Sequence, residues 1–345
     1  MKKPMLFPYK AKRFASNFFL PLITGTVMLL SGCERLSGLF DGSTEDPPVA
    51  GEPVIDVKSA GAKGDGTTDD TWAFQKAIDS VAILGGGTVY VPQGIYLVDP
   101  DTAVCIKMKS NVVLDMVDTT RVLLAKANSL LRYNVIQMKN ISDARVLGGK
   151  IIGDRNSHTG TTGEWGMGIA IYGCTNAWVK GTKIINCWGD GISIAAKGIS
   201  NPSRNCVIKQ VICDNNRRQG LSIGGVDSLI VDSCTFIRTN GTAPQDGIDI
   251  EPDKGTAQRV YITNCEIAHN ARQGVEMLAK TTTTAVVTNI YVQNNYIHHN
   301  VHSGYVRQVS NVVFTNNRMT NNKYLNNRVN VKNATNSIFD PNTYE

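Results

Sequence analysis

Three carboxylates recur at matching places in consecutive repeats of this sequence. Asp249 and Glu251 stand two residues apart in Gly247-Ile-Asp-Ile-Glu, and Glu276 takes the place of Asp249 in the next repeat, Gly274-Val-Glu-Met. Carboxylates this close repel one another, so at least one should have a raised pKa unless a cation lies between them. We therefore expect either an acid–base group for glycosidic hydrolysis or a Ca²⁺ site that serves β-elimination.

Basic and amide side chains border these carboxylates and favour an anionic substrate. They lie one or two residues before the repeat glycines, and a tyrosine lies four residues after one of them. An arginine fork matches a sugar carboxylate, amides donate to hydroxyls, and an aromatic ring stacks on a sugar. The predicted substrate-binding residues are Arg218, Arg272, His302, Gln219, Gln273 and Tyr172.

The repeat spacing explains why these residues should meet. A glycine followed by alternating strand-forming residues recurs at steps of 23, 29, 27, 27 and 30 residues, at Gly168, Gly191, Gly220, Gly247, Gly274 and Gly304. Short strands and turns at this period predict one coil of a parallel β-helix per repeat. Equivalent positions then stack at about 4.8 Å, so Asp249 and Glu276 become neighbours on an exposed sheet face.

The start of the folded domain carries a recognisable pattern. Asp56-Val-Lys is followed by Gly61-Ala-Lys-Gly-Asp-Gly, by Asp69-Asp70, and by Gly85-Gly-Gly-Thr-Val-Tyr-Val-Pro. This run resembles the opening of the pectate-lyase-like, glycosyl-hydrolase-28-related β-helix superfamily. The resemblance implies an all-β, single-stranded, right-handed parallel β-helix and an extracytoplasmic carbohydrate-active protein. It leaves the reaction open, because that superfamily includes lyases, hydrolases, C5-epimerases and phage tailspikes.

Subfamily motifs do not name the reaction. The N-T-D, G-D-D, G-H-G and R-I-K motifs of polygalacturonases are absent from their places, and Gly189-Asp190-Gly191 offers one acid only. The G-F-D-P-H-E motif of alginate C5-epimerases is matched by Gly247-Ile-Asp-Ile-Glu-Pro at Asp249 but not at its histidine. A lyase or hydrolase of a uronate polysaccharide is the leading hypothesis. The alternatives are a C5-epimerase, and a non-catalytic binding or scaffold protein whose charged row is structural.

A helix is predicted over residues 71–83, where it would cap the open end of the solenoid. Asp70 or Thr71 would serve as its N-cap. Its apolar side is formed by Trp72, Phe74, Ala77, Ile78 and Val81. The polar, glycine-rich stretch 154–167 breaks the repeat and is predicted to be a loop that walls a groove.

The N-terminal region resembles a bacterial lipoprotein leader. Five basic residues precede an apolar run over 18–30, and Leu30-Ser-Gly-Cys33 resembles a lipobox. We expect a signal peptide over residues 1–32, lipidation of Cys33, a flexible tether to residue 52, and one domain over 53–345. The protein would then be lipid-anchored in the bacterial cell envelope, periplasmic or surface-facing. The alternative is an uncleaved membrane anchor.

Charge and cysteine content narrow the expected partners. After residue 32 the chain has 30 basic against 29 acidic residues, so nucleic acid is not an expected partner, and we expect a monomer that binds polysaccharide. Seven cysteines follow Cys33, and no C-x-x-C pair is present. Cys206, Cys213, Cys234 and Cys265 fall on inward positions, which predicts a buried stack rather than disulfides or a metal site.

Overall fold

The structure, a computed structural model, describes residues 53–280 and 284–344. The predicted signal peptide, Cys33 and the tether lie outside these residues. Within the described ranges, no helix has both the length and the apolar character needed to cross a membrane.

The chain winds into a parallel β-helix in which each regular coil adds one strand to each of three strand stacks, named sheets 1, 2 and 3. Sheets 1 and 3 are joined through one long strand into an 18-stranded sheet, and sheet 2 is the separate 11-stranded sheet. Sheet 1 contains β1 (Val54–Asp56), β3 (Gly87–Tyr90), β6 (Val112–Met116), β9 (Arg145–Gly148), β12 (Trp178–Lys180), β15 (Ser203–Lys209), β18 (Val226–Asp232), β21 (Thr256–Thr263) and β24 (Val286–Gln293). Sheet 2 contains β2 (Asp65–Asp69), β4 (Gly94–Val98), β7 (Arg121–Ala125), β10 (Lys150–Ile152), β13 (Lys183–Ile185), β16 (Ile212–Asp214), β19 (Thr235–Ile237), β22 (Glu266–Ala268), β25 (Tyr296–His298), β27 (Arg318–Thr320) and β29 (Thr343–Tyr344).

Sheet 3 carries most of the predicted site residues. It contains β5 (Ile106–Lys107), β8 (Arg132–Lys139), β11 (Trp165–Tyr172), β14 (Ile192–Ala195), β17 (Gln219–Ile223), β20 (Asp246–Ile250) and β23 (Gln273–Leu278). The long β26 (His302–Thr315) pairs with β23 through its first half and with β24 through its second, and β28 (Asn330–Thr335) pairs with β26. The predicted parallel β-helix is confirmed.

Apolar side chains fill the interior of the coils. Leu229 and Val231 of β18 are fully buried and Ile230 between them is only partly buried, which shows the inward–outward alternation of a strand. All seven cysteines of the described residues are buried free thiols, so the predicted cysteine stack is confirmed. Their apolar surroundings explain why no disulfide is needed to hold the coils together.

Asparagine ladders connect successive coils at the turns. Asn270 Oδ1 accepts a hydrogen bond from Thr239 N at 3.0 Å, and Asn270 Nδ2 donates to Phe236 O at 3.1 Å and to Asn300 Oδ1 at 3.0 Å. Asn300 and Asn216 are buried in the same way. Each side chain satisfies backbone groups that the turn leaves without a partner, which stabilises the stacking of the coils.

Helix α1 spans Thr71–Ile83 and packs on the first strands through Phe74, Ala77, Ile78 and Val81. Trp72 was predicted on the same side, but it is 75% exposed because it stands about 200° around the helix from Phe74. The carboxylate of Asp70 does not cap the helix, because it accepts hydrogen bonds from Lys63 N and Gly64 N. That α1 closes the end of the solenoid stays a prediction.

Candidate active site

A groove of about 880 Å³ runs along the outer face of sheet 3. Its floor carries outward side chains of consecutive strands, and its rim comes from the ends of β8 and from segments between strands. Charged residues dominate the lining, with carboxylates at the floor and one side and cations around the rim. The charged lining residues are Asp190, Asp249, Glu251, Asp253, Arg132, Lys139, Lys197, Arg218, Lys254 and Lys280.

Asp249 lies at the groove floor, in the row that the repeats predicted. In the register of the parallel sheet it stands beside Ser222 of β17 and Glu276 of β23. The prediction that these two side chains lie on an exposed face is wrong, because Asp249 is only 2% and Glu276 only 6% exposed. Side chains of the neighbouring coils cover both carboxylates, and one oxygen of Asp249 lies against the amide of Gln219.

A third buried acid completes a carboxylate cluster that the sequence interpretation missed. Asp246, Asp249 and Glu276 place carboxylate oxygens within 4.8 Å of one another. Asp246 stands one residue before its repeat glycine, where neighbouring coils carry Gln219 and Gln273. Asp246 could have been recognised from this shared position, but the sequence interpretation considered only the two glutamines there.

The hydrogen bonds of the carboxylate cluster leave two oxygens unsatisfied. Gln219 Nε2 donates to Asp249 Oδ2 at 2.8 Å, and Gln273 N donates to Asp246 Oδ1 at 2.7 Å. Gln219 Oε1 in turn accepts from Asp246 N at 2.9 Å. The other oxygens, Asp246 Oδ2 and Asp249 Oδ1, are buried without a hydrogen-bond partner in the described part of the chain. Such atoms call for a proton or a cation.

Burial and the neighbouring carboxylates favour the protonated forms of Asp246 and Asp249. Burial raises the pKa of Asp249 well above its usual value, and Glu251 and Glu276 raise it further. Burial also raises the pKa of Asp246, with Glu276 as the next cause. A hard cation is the alternative way to neutralise the charge, because the donor set is all oxygen. Asp246, Asp249 and Glu276 would then hold Ca²⁺, with Asp246 in the place that the sequence assigned to Glu251.

A second acid faces the groove beside Arg218. Arg218 Nη1 lies 3.2 Å and 3.0 Å from the two oxygens of Asp190, and its Nε lies 3.2 Å from Glu164 Oε2. Asp190 is fully buried, and burial raises its pKa to about 6, although the Arg218 charge opposes the shift. Glu164 belongs to the predicted loop 154–167, so this loop does supply a contact at the groove wall.

The remaining predicted residues divide into two sets. Tyr172 lines the groove and donates from its hydroxyl to Ser193 Oγ at 3.3 Å, and Glu251 lies in the wall with its Oε2 3.5 Å from Lys280 Nζ. Gln219 is buried behind Asp249, so it orients that carboxylate. Outside the groove lining are Glu276, Gln273, Arg272 and His302, of which Arg272 is exposed and Gln273 is buried.

The groove rim was missed at the sequence level. Lys197, Lys254 and Lys280 come from irregular segments between strands, and Arg132 stacks on Trp165 at 4.8 Å from the ring centroid. Repeat columns do not extend into such segments, so no spacing signal pointed to them. The result is a cationic rim above buried acids.

The architecture and this groove define a right-handed parallel β-helix protein with a candidate polysaccharide site. The family described as "Rhamnogalacturonase A/epimerase, pectate lyase-like" matches residues 54–271, more than half of the chain, and "Right handed beta helix region" matches residues 243–345. The chain belongs to the pectate-lyase-like rhamnogalacturonase A/epimerase family.

Individual relatives share the fold or parts of the sequence. The Bacillus subtilis protein YclG, described as uncharacterized, is 29% identical over 222 residues, which cover 58% of this chain and 38% of YclG. Mannuronan C5-epimerase AlgE1 of Azotobacter vinelandii is 43% identical over 83 residues, covering 23% of this chain and 6% of AlgE1. The family 28 exopolygalacturonase of Yersinia enterocolitica superposes with a TM-score of 0.63 at 17% identity, covering 81% of this chain and 61% of the enzyme.

These matches establish the fold rather than an activity. The structural likeness is below 25% identity, and the match with AlgE1 is local. The chain spans less than half the length of the first curated relatives that it matches.

Proposed function

We propose that this protein hydrolyses glycosidic bonds in a uronate-bearing polysaccharide that lies in the groove over sheet 3. The observation that carries the proposal is the pair Asp190 and Asp249. Both are buried carboxylates that line one groove, and their surroundings raise the pKa of one to about 6 and of the other well above its usual value. Two carboxyl groups with separated pKa values are the requirement for glycoside hydrolysis.

The two acids take different roles. Asp249, whose pKa is raised well above its usual value, carries the proton and gives it to the glycosidic oxygen as the bond to the anomeric carbon breaks. Asp190 is ionised above pH 6 and accepts the proton of the water that forms the new bond to that carbon. Asp190 precedes β14 and Asp249 lies in β20, with β17 between them, so we propose that this water stands between the two carboxyl groups, as an inverting mechanism requires. Activity should therefore fall as the pH drops below about 6.

The cationic rim supports an anionic substrate. Arg132, Lys139, Lys197, Lys254 and Lys280 surround a floor that carries acids, so sugar carboxylates would bind at the rim while the glycosidic oxygen reaches Asp249. Lysine and arginine bind carboxylates, and arginine does so in bidentate geometry. The names of AlgE1 and of the exopolygalacturonase, which refer to mannuronan and polygalacturonate, agree with this substrate class.

A C5-epimerase or lyase is the second candidate, and the local similarity to AlgE1 is the observation that favours it. Tyr172 would face the sugar ring as the proton-transferring group, and Asp246, Asp249 and Glu276 would hold a cation. Bound Ca²⁺ would neutralise the substrate carboxylate and so acidify the C5 proton. A scaffold protein that only binds the polysaccharide is the third candidate.

Product analysis on uronate polysaccharides separates these candidates. The protein is incubated with polygalacturonate and alginate, with Ca²⁺ or with a chelator, while reducing ends and the ultraviolet absorbance of unsaturated uronate are followed together. If the protein is a hydrolase, the number of reducing ends should rise while the ultraviolet absorbance stays constant, both with Ca²⁺ and with the chelator. Rising absorbance would identify a lyase, altered C5 configuration in the NMR spectrum an epimerase, and binding without either change a scaffold. Each of the last three results contradicts the proposal.

The cellular location is a separate proposal that rests on the lipobox-like run at Cys33. We propose that Cys33 is lipidated and anchors a monomeric protein to a bacterial envelope membrane. Membrane fractionation of cells that express the chain tests it. The wild type should sediment with membranes and Cys33→Ala should be released, whereas equal distribution of the two would contradict the anchor.

A further inference from the structure

Three histidines cluster on a different sheet from the groove. His298 ends β25 of sheet 2, His299 follows it, and His269 follows β22 one coil earlier. Each offers a ring nitrogen within 4.8 Å of the others. None of the three lines the groove described above, so the proposed hydrolysis leaves this cluster without a role.

The coil register brings these side chains together. Ala268 of β22 pairs with His298 of β25, and His269 N donates to the carbonyl of His298 at 3.2 Å. His269 and His299 take the same left-handed turn position in successive coils, with φ of 57° and 54°. Asn321 has a similar φ of 53° one coil later, so the turn does not itself require an imidazole.

Hydrogen bonds fix the tautomer of His298. Its Nε2 lies 3.2 Å from Glu266 Oε1, and its Nδ1 lies 2.8 Å from His299 Nδ1. An ionised carboxylate only accepts, so Nε2 carries the hydrogen. The lone pair on Nδ1 of the neutral ring then accepts a hydrogen bond from His299 Nδ1, and a bound metal would replace that hydrogen. A histidine that donates to a carboxylate through one nitrogen is the usual partner of a metal at the other.

Burial and ring packing keep the cluster ready for a metal. The neutral ring is the form that binds metal. His298 packs on the ring of Tyr296 at 4.0 Å, and the rings of His269 and His299 stack at 4.6 Å. His269 and His299 are exposed, so an ion would reach the site from solvent.

We propose that His269, His298 and His299 bind a divalent transition-metal ion such as Zn²⁺, with Glu266 as the positioning residue for His298. Imidazole nitrogens suit Zn²⁺, Cu²⁺ and Ni²⁺ rather than Ca²⁺. Three protein ligands leave a further coordination position for water. The ion would join two adjacent coils, and it would stabilise the folded state by preferential binding.

The test is a Zn²⁺ titration of the full chain without an oligohistidine tag. Binding is followed by calorimetry and by the thermal midpoint of unfolding. The wild type should bind one Zn²⁺ per chain and unfold at a higher temperature with Zn²⁺. His299→Ala and His269→Ala should each weaken binding at least tenfold, and Glu266→Gln by about 10- to 100-fold.

The matched control is His302→Ala, which removes a half-buried histidine outside the cluster. It should keep the affinity and the midpoint shift of the wild type. The two exposed positions, His269 and His299, keep the test valid even if replacement of the buried His298 impairs folding. No saturable binding by the wild type, or equal affinity in His299→Ala and the wild type, would overturn the proposal. Equal Zn²⁺ affinity of His299→Ala and the wild type would indicate that Zn²⁺ binds to cysteines instead, because all variants keep the same cysteines.

Discussion

Asp190 allows a quantitative test of the groove electrostatics that is independent of any substrate. Its side chain is fully buried, and burial raises its pKa from 3.8 to about 6. A difference of about 2 pKa units corresponds to about 3 kcal/mol between the protonated and ionised folded states. Replacement by asparagine keeps the shape of the side chain and removes its titration.

The sign of the effect follows from proton linkage. The folded protein holds the Asp190 proton more tightly than the unfolded chain does. The stability contributed by this proton is therefore fully present below pH 3.8 and is lost as the pH rises through about 6. Relative to Asp190→Asn, the wild type should lose about 3 kcal/mol over this interval. The variant also leaves Arg218 paired with Glu164 alone, so the comparison rests on the change with pH and not on the difference at one pH.

Urea unfolding of both proteins at a series of pH values between 4 and 7 measures this difference. Asp253→Asn, at a side chain that is 90% exposed in the same groove, controls for the loss of one charge. A constant difference between the wild type and Asp190→Asn, or a wild type that gains stability relative to the variant as the pH rises, would refute the burial argument.

Three further predictions concern the rim, the ladders and the core. Lys280→Met should lower the free energy of unfolding by less than about 1 kcal/mol, because Lys280 forms partly exposed ion pairs with Asp253 and Glu251. The same variant should bind a uronate oligomer more weakly than the wild type, with the larger loss of affinity at low salt, as calorimetry at two salt concentrations would show. Asn270→Ala removes three buried hydrogen bonds and should destabilise the protein by about 2 to 5 kcal/mol in urea unfolding; an unchanged midpoint would contradict the role of the ladder. The buried thiols at Cys174, Cys187, Cys206, Cys213, Cys234, Cys265 and Cys105 should react with a thiol reagent only after unfolding; fast reaction in the native protein would contradict their burial.

The repeat glycines made the fold and one row of the site predictable. In a parallel β-helix the sequence period becomes a physical spacing, so alignment of Gly247 with Gly274 placed Asp249 beside Glu276. The alternation of apolar residues also identified which side chains face the interior. These relations are local and regular, and they need no knowledge of the segments between strands.

How deeply the acidic side chains are buried, and which residues contact them, could not be predicted in the same way. Asp246 and Asp190 stand directly before the repeat glycines Gly247 and Gly191, in a column where the sequence interpretation considered the amides only. Arg218 and Arg272 share a column, yet only Arg218 lines the groove, where Glu164 from an irregular loop and Asp190 hold it. Side-chain direction at such positions depends on non-repeating segments, and repeat spacing carries no information about them.

The central claim is that Asp249 is the proton donor for cleavage in this groove. The most direct measurement is the initial rate of reducing-end release from a uronate polysaccharide by the wild type and by Asp249→Asn, with binding of the same polymer measured in parallel. Asparagine still accepts the hydrogen bond from Gln219, so binding and the thermal midpoint should be retained while the rate falls by about 10²- to 10⁴-fold. A variant that binds the polymer and cleaves it at the wild-type rate would contradict the account.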